Sequence, residues 1–173
     1  MSVHIIIDGY NLIRQSASLQ RLEQVDLQTG REALIRRLVA YKRIRPHKIT
    51  VVFDGTGDPG LSPSRDRVGG ISIVFSRSGE TADAVIAAMA RRFGEKAMVV
   101  SSDRGVTNSA AAAGAAVIGS PEFEERVEMA AYMEIKGDDG EPSEGWSPTT
   151  RKKGPRRRLP KRQRRNSAKI QKL

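Results

Sequence analysis

Three short apolar runs in this 173-residue chain end in an aspartate: HIIIDGYN over residues 4–11, VVFDGTG over 51–57 and MVVSSDRG over 98–105. A fourth aspartate, Asp83, lies with Glu80 at the head of a later helical pattern, GETADAVIAAMARRF. Carboxylates that converge on one pocket cannot all stay ionised without compensation. A hard divalent cation supplies it, because Mg²⁺ and Mn²⁺ favour carboxylate oxygen and water. Such a centre activates water and neutralises charge building on a phosphoryl group, which is the chemistry of phosphodiester hydrolysis. In this reading Asp8, Asp83 and Asp103 hold one or two metal ions, directly or through water. Asn11, three residues past Asp8, donates its amide to a phosphate or orients a carboxylate, and Glu80 is a further ligand or a helix cap. Each acid has a local alternative. Asp-Gly after a strand is common turn chemistry, Asp103 is placed to cap the helix after it, and Glu80 and Asp83 complement a helix dipole. The coincidence at three strand ends is what points to a site.

The elements that must position these residues are legible from periodicity. Val3 to Ile7, Ile49 to Phe53 and Ala97 to Ser101 are continuous apolar runs of the kind found in strands buried on both faces. Ile71, Ile73 and Phe75 alternate as a further strand, and Ala115 to Ile118 make a short fifth. Leu34, Leu38 and Tyr41 place a helix over about Thr29 to Arg43. Ala82, Val85, Ile86, Met89, Ala90 and Phe93 place another from near Glu80 to Gly94. A small-residue helix follows Asp103, and a last one runs from Pro121 to about Ile135. Strands alternating with helices predict an α/β fold with a central parallel sheet, helices on both faces and a site at the carboxyl ends of the strands. In that sheet Asp8, Asp54 and Asp103 face one edge. The Gly- and Pro-rich stretch from Thr56 to Gly70 has no period and reads as a mobile loop. It carries Arg65 and Arg67 beside the expected site, where they grip substrate backbone or are simply solvated.

Charge divides the chain. Residues 1–150 hold 18 Lys/Arg against 20 Asp/Glu, whereas residues 151–173 hold 12 Lys/Arg and no acid. The body is near neutral and the end is a basic block that repels itself. Residues 136–173 are therefore expected to be a disordered linker and basic tail that attracts nucleic acid rather than a membrane. There is no cysteine, which excludes thiolate metal sites and cysteine nucleophiles. No phosphate-binding glycine loop, dinucleotide fingerprint or HExxH is present, which argues against nucleotide hydrolysis and zinc peptidase chemistry. His4 sits inside an apolar run and His47 follows a proline, so both are read as structural. No apolar stretch is long enough to span a membrane, and the expectation is a cytoplasmic protein.

IIIDGYNLI, VVFDG, FSRSGETADAVI and VVSSDRG, in that order and spacing, resemble the YacP-like branch of the NYN domains, relatives of PIN-domain ribonucleases. The resemblance covers about residues 1–135. It implies a Rossmann-like PIN/NYN fold and an Mg²⁺- or Mn²⁺-dependent endoribonuclease leaving 5′-phosphate and 3′-hydroxyl ends. By motif it assigns Asp8 and Asn11 from DGYN, Asp54 from FDG, Asp83 from ETAD and Asp103 from SSD. Asp8, Asp54, Asp83 and Asp103 are the implied metal ligands, and Asn11, Arg65 and Arg67 the substrate contacts. Related sequences often carry a second acid directly after the ETAD aspartate, where this chain has Ala84. The expected substrate is single-stranded or ribosome-associated RNA, whether messenger, ribosomal or transfer, with the ribosome as a docking partner for the tail. The competing readings are a non-catalytic RNA-binding protein that keeps the fold, and a structure-specific DNA nuclease.

Overall fold

The computed structural model describes residues 2–55, 65–137 and 160–173. Six strands form one sheet: β1 (His4–Asp8), β2 (Lys48–Phe53), β3 (Arg65–Val68), β4 (Ile71–Phe75), β5 (Ala97–Val100) and β6 (Ala116–Ile118). Their order is β3-β4-β2-β1-β5-β6. All neighbours are parallel except β3, which runs antiparallel to β4. The parallel part matches the expectation, and β3 makes the sheet mixed. Arg65–Val68 was expected to belong to a mobile loop; instead it pairs along β4 through a turn in which Gly69 and Gly70 both take positive φ, a conformation glycine adopts at no steric cost. Residues 56–64 of that expected loop lie outside the described residues.

Seven helices surround the sheet among the described residues: α1 (Gly9–Gln15), α2 (Ala17–Val25), α3 (Leu27–Ile44), α4 (Ala82–Phe93), α5 (Arg104–Ala112), α6 (Ser120–Gly137) and α7 (Lys161–Ile170). Strand residues alternate between two faces, and each face has its own core. Ile5, Ile7, Ile49, Val51, Phe53 and Met98 pack with α1, α2, α3 and α6. Ile6, Val52 and Val99 pack with Ile86 and Ala90 of α4 and Val106 and Ala110 of α5. The small residues of α5 let it lie close to the sheet, as the alanine run predicts. His4 is structural, as expected: its Nε2 pairs with Thr50 Oγ1 at 2.8 Å and its ring meets Phe93 edge-on at 4.5 Å. Burial, reinforced by the charge of Lys48, lowers its pKa to about 4. None of the helices is long and apolar enough to cross a membrane, among the described residues.

The expectation of disorder beyond Lys136 does not hold for residues 160–173; residues 138–159 lie outside the described residues. A parallel sheet leaves β6 with an unpaired edge, and α7 covers it. Asn166 accepts from the Val117 N–H at 2.8 Å and donates to the Val117 carbonyl at 3.1 Å, in the manner of a further strand. Arg165 pairs with Glu95, and Lys169 donates to the Glu95 carbonyl. Past the helix, Tyr41 Oη donates to the Leu173 main-chain oxygen at 2.9 Å and His47 Nε2 bonds that of Lys172 at 3.0 Å. Leu173 is buried in the core of the α3 face. Charge density argues for a solvated arm, but α7 turns Asn166, Arg165 and Lys169 onto the sheet and leaves Lys161, Arg162 and Arg164 exposed.

Asn166→Ala therefore strands two main-chain groups of β6 and is expected to lower stability by about 1–3 kcal/mol, read as a shift in the urea midpoint. A free tail would give no shift.

Candidate functional site

The parallel strands run in the order β4-β2-β1-β5-β6, so the chain reverses its direction of winding between β1 and β5. That switch point opens a crevice at the carboxyl edge. Asp8 ends β1 there and Asp103 follows β5. Parity completes the placement. Asp8 shares its face with His4 and Ile6, and Asp54 and Ser101 share theirs with Val52 and Val99. All three point to the side covered by α4 and α5.

Two glycines make the approach possible. A Cβ on Gly9 would lie 2.3 Å from the Phe53 ring, and one on Gly55 would lie 2.2 Å from the Ser76 carbonyl oxygen. Neither glycine has positive φ. Asp-Gly in this chain is thus a close-packing device, which lets α1 start directly on Phe53 and lets the chain after β2 cross the end of β4. It is not the turn chemistry weighed as the local alternative.

Asp8 is 8% exposed. Its Oδ2 accepts from Ser101 Oγ at 3.1 Å, and the Asn11 main-chain N–H also bonds its carboxylate. Burial outweighs these donors, the charges of Asp83 and Asp54 add to it, and the carboxyl is pushed up to about 6. Asp83, exposed on the first turn of α4, is raised by partial burial and by the charges of Asp103 and Asp54. Asp54 Oδ1 accepts from the Ala82 N–H at 2.6 Å, which ties the end of β2 to the start of α4. Asp103 caps α5, its Oδ1 accepting from the N–H groups of Gly105 at 2.7 Å and Val106 at 3.2 Å. The local alternative for Asp103 is therefore real, and it coexists with the charge coupling to Asp83. No member of this quartet has a salt-bridge partner among the described residues.

Asn11 is a hub. Its Oδ1 accepts from the Ser102 N–H at 2.8 Å and from Ser120 Oγ at 2.7 Å, joining α1 to the loop after β5 and to the start of α6. Its Nδ2 carries no hydrogen bond among the described residues and remains available as a donor. Sequence reasoning missed Ser101 and Ser120, both almost fully buried. Ser101 Oγ accepts from the Asp103 N–H at 3.1 Å while donating to Asp8, so it couples the two acids. Strand parity carried the signal for it, since Ser101 falls on the same face as Val99.

Glu80 is not brought in. It is exposed, and its Oε2 accepts from the Arg77 N–H at 3.4 Å within its own turn. Arg65 stands opposite Val74, near the carboxyl edge, while Arg67 stands opposite Ser72, two residues farther back along β4. Both are exposed. No three His, Cys, Asp or Glu side chains approach closely enough to chelate one ion among the described residues. The donor set is nonetheless all oxygen, mutually repelling and without a protein cation. That fits a well-hydrated divalent ion held through one or two carboxylates with water completing its shell.

The model of the family described as YacP-like NYN domain matches residues 5–172. A curated relative, the uncharacterized protein YacP of Bacillus subtilis (strain 168), is 28% identical over 87 residues, covering 50% of this chain and 51% of that one. The chain thus spans about half the length of the curated relative it matches. Two solved structures of Rae1 (YacP) from Bacillus subtilis are similar in fold. One has a TM-score of 0.65 at 24% identity over 80% of both chains. The other, of a mutant, has a TM-score of 0.64 at 21% identity over 79% of this chain and 86% of that one.

The raised carboxyl of Asp8 fixes a pH dependence. Its folded pKa lies above the usual carboxylate value, so without metal the ionised form costs stability, beginning near pH 4 and complete above about pH 6. His4 has the opposite sign: its folded pKa is lowered, and its contribution is lost as pH falls from about 6.5 towards 4. Asp8→Asn is expected to raise metal-free stability at pH 7 by on the order of 2–3 kcal/mol and to leave it nearly unchanged at pH 4. Chemical denaturation at the two pH values checks this; an equal shift at both would contradict the assignment.

Proposed function

The chain belongs to the YacP-like NYN domain family, a nuclease-type family, and from that premise we propose that it is a metal-dependent endoribonuclease. The observation that carries the reading is the quartet Asp8, Asp54, Asp83 and Asp103. Its members come from four segments to the edge at the switch point, where burial, with the charges of Asp83 and Asp54 added, raises Asp8, and no salt bridge reaches any of the four among the described residues. Bound there, Mg²⁺ or Mn²⁺ would lower the pKa of a water nucleophile and neutralise charge on the phosphoryl oxygens.

The chain's own residues divide the remaining work. Asp8 and Asp83 are the proposed direct ligands, since each is destabilised as an anion by its neighbours and gains most from a cation. Asp103 has one oxygen committed to the α5 cap and offers the other, directly or through water. Asp54 holds α4 by its Oδ1 and contributes negative charge beside Asp83. Asn11 positions the Asp103 loop through its side-chain oxygen and presents its amide N–H to the substrate phosphate. Ser101 is a positioning residue that donates to Asp8. Arg65 is the nearer of the two β3 cations to the edge and is the proposed backbone contact; Arg67 contributes at longer range. The substrate proposed is single-stranded or ribosome-associated RNA in the cytoplasm.

The wide spacing of the acids favours one alternative, RNA binding without cleavage, and the same experiment decides between them. Labelled single-stranded RNA and DNA are incubated with the full chain and Mg²⁺ or Mn²⁺. The wild type is expected to cut RNA internally, and Asp8→Asn and Asp83→Asn to lose at least about 100-fold in rate, roughly 2.7 kcal/mol of transition-state stabilisation. Full activity in either variant would remove the catalytic assignment, and a folded wild type that binds RNA without cutting would establish the alternative.

Metal itself gives a second readout. At about 100 times its dissociation constant it should stabilise the wild type by roughly 2.7 kcal/mol and the two variants by clearly less. Equal melting shifts in all three would place metal elsewhere.

A further inference from the structure

A cleft of about 880 Å³ runs along the outer flank of α4, between that helix and the β3–β4 edge of the sheet. It begins at Glu80 and Thr81, directly beside Ala82, whose N–H Asp54 holds, and Asp83. Ala84 and Ala88 leave the space open, and Val74, Val85 and Met89 give it an apolar floor. Three guanidinium groups line it: Arg65 from β3, Arg77 from the turn after β4, and Arg92 from the last turn of α4. None of the three is in a salt bridge among the described residues. Glu80 is the one acid in the lining, and it is turned onto the Arg77 main chain. Arg92 is nine residues from Asp83 on α4, so the cleft extends roughly 13 Å from the acidic edge.

Charge therefore changes sign abruptly where the cleft opens. The quartet repels a polyanion unless metal is present, whereas the neighbouring surface offers arginines without an acid partner among the described residues, Arg92 resting on the Phe93 ring, above an apolar floor. Guanidinium groups bind phosphate bidentately and favour backbone recognition over base readout, and an aliphatic floor offers no hydrogen-bonding group with which to read a base. We propose that this cleft is the track that holds single-stranded RNA on one side of the scissile bond, with Arg65, Arg77 and Arg92 on successive phosphates. The inference rests on the hydrolytic reading of the acidic edge and adds two residues, Arg77 and Arg92, that no motif singles out. It also separates Arg65, which lines the cleft, from Arg67, which does not. The contacts are remote from the reacting phosphate and equal before and during the chemical step. They act on affinity, not on turnover.

The test measures binding and cutting separately. For binding, full-length Asp8→Asn serves as a cleavage-silent background, and a fluorescein-labelled oligouridylate of about ten nucleotides is titrated at several salt concentrations. Arg65→Ala, Arg77→Ala and Arg92→Ala are combined in one variant; Arg21→Ala, Arg43→Ala and Arg45→Ala, exposed cations outside the cleft, form the control. Three phosphates released from a single strand flatten the slope of log affinity against log salt by about 2. The cleft variant should show that change with at least tenfold weaker binding, and the control much less. For cutting, the same two triples in the otherwise wild-type chain are assayed against RNA concentration with metal. The cleft variant should raise KM by about tenfold and keep kcat within about threefold. An unchanged salt slope, equal losses in both triples, or a loss confined to kcat would each overturn the proposal. If the cleft variant loses RNA affinity while the parent chain cuts nothing, the hydrolytic reading falls and the cleft stands as an RNA site.

Discussion

The carboxylate of Asp8, buried at the end of the central strand, is the constraint around which the rest of the site is arranged. An ion taken out of water must recover its lost hydration from fixed donors, and Asp8 has two: Ser101 Oγ and the Asn11 N–H. One comes from the end of β5 and the other from the first turn of α1. Ser101 accepts from the Asp103 N–H while it donates to Asp8, and Asn11 is within reach because α1 starts without a connecting loop. The Asn11 side chain then fixes Ser102 and Ser120. Three strand ends and the heads of two helices are thus held in register by the needs of one buried acid.

Those donors do not suffice, and the residual cost has a direction. Asp54 and Asp83 are brought near by the bond from Asp54 to the head of α4, and their charge raises Asp8 further. A fold selected for metal-free stability alone would place a lysine or arginine among them, and among the described residues no salt bridge reaches any of the four. Electrostatic strain of this kind concentrates where a group has a task other than stability. In the proposed reading the same repulsion makes a cation both a cofactor and a stabiliser.

Much of this was legible in the sequence, because β1, β2 and β5 are buried runs that each lead into an aspartate. The parallel pairing and the placement of Asp8, Asp54 and Asp103 at one edge follow from that pattern, whereas the strand order does not. Helices α1 and α2 did not show: Gly9 and the polar residues after Ile13 break the helical period, and Ser16, which caps α2 by accepting from Leu19 N–H, reads like a loop residue. Strand β3 is fully exposed and has no apolar face towards a core, so only its pairing with β4 defines it. Helix α7 was hidden by charge. Its composition is that of a solvated arm, and what anchors it is one asparagine, two of its cations on Glu95 and a few apolar residues placed correctly in space, which composition does not reveal. Glu80 has the opposite error: its position in the ETAD motif suits a ligand, yet one turn of backbone takes its carboxylate away.

The placement of α7 changes how the basic end of the chain can act. Its anchors are Glu95, just before β5, Val117 on β6, and, beyond the helix, Tyr41 and His47, just before β2. Apart from Val117 these lie towards the amino edge of the sheet, a strand length or roughly 15 Å from the aspartates. Lys161, Arg162 and Arg164 remain exposed on that docked helix. A polyanion that meets them does so far from the acidic edge, too far for the helix to hold a strand on either side of a phosphate bound there. The positive charge beside the acidic edge comes instead from Arg65, Arg77 and Arg92, which sequence order scatters and the β3–β4 hairpin and α4 bring together. In the proposed reading, grip near the reacting bond and attraction of a large nucleic acid are then tasks for two separate surfaces. Only the first is coupled through α4 to Asp83.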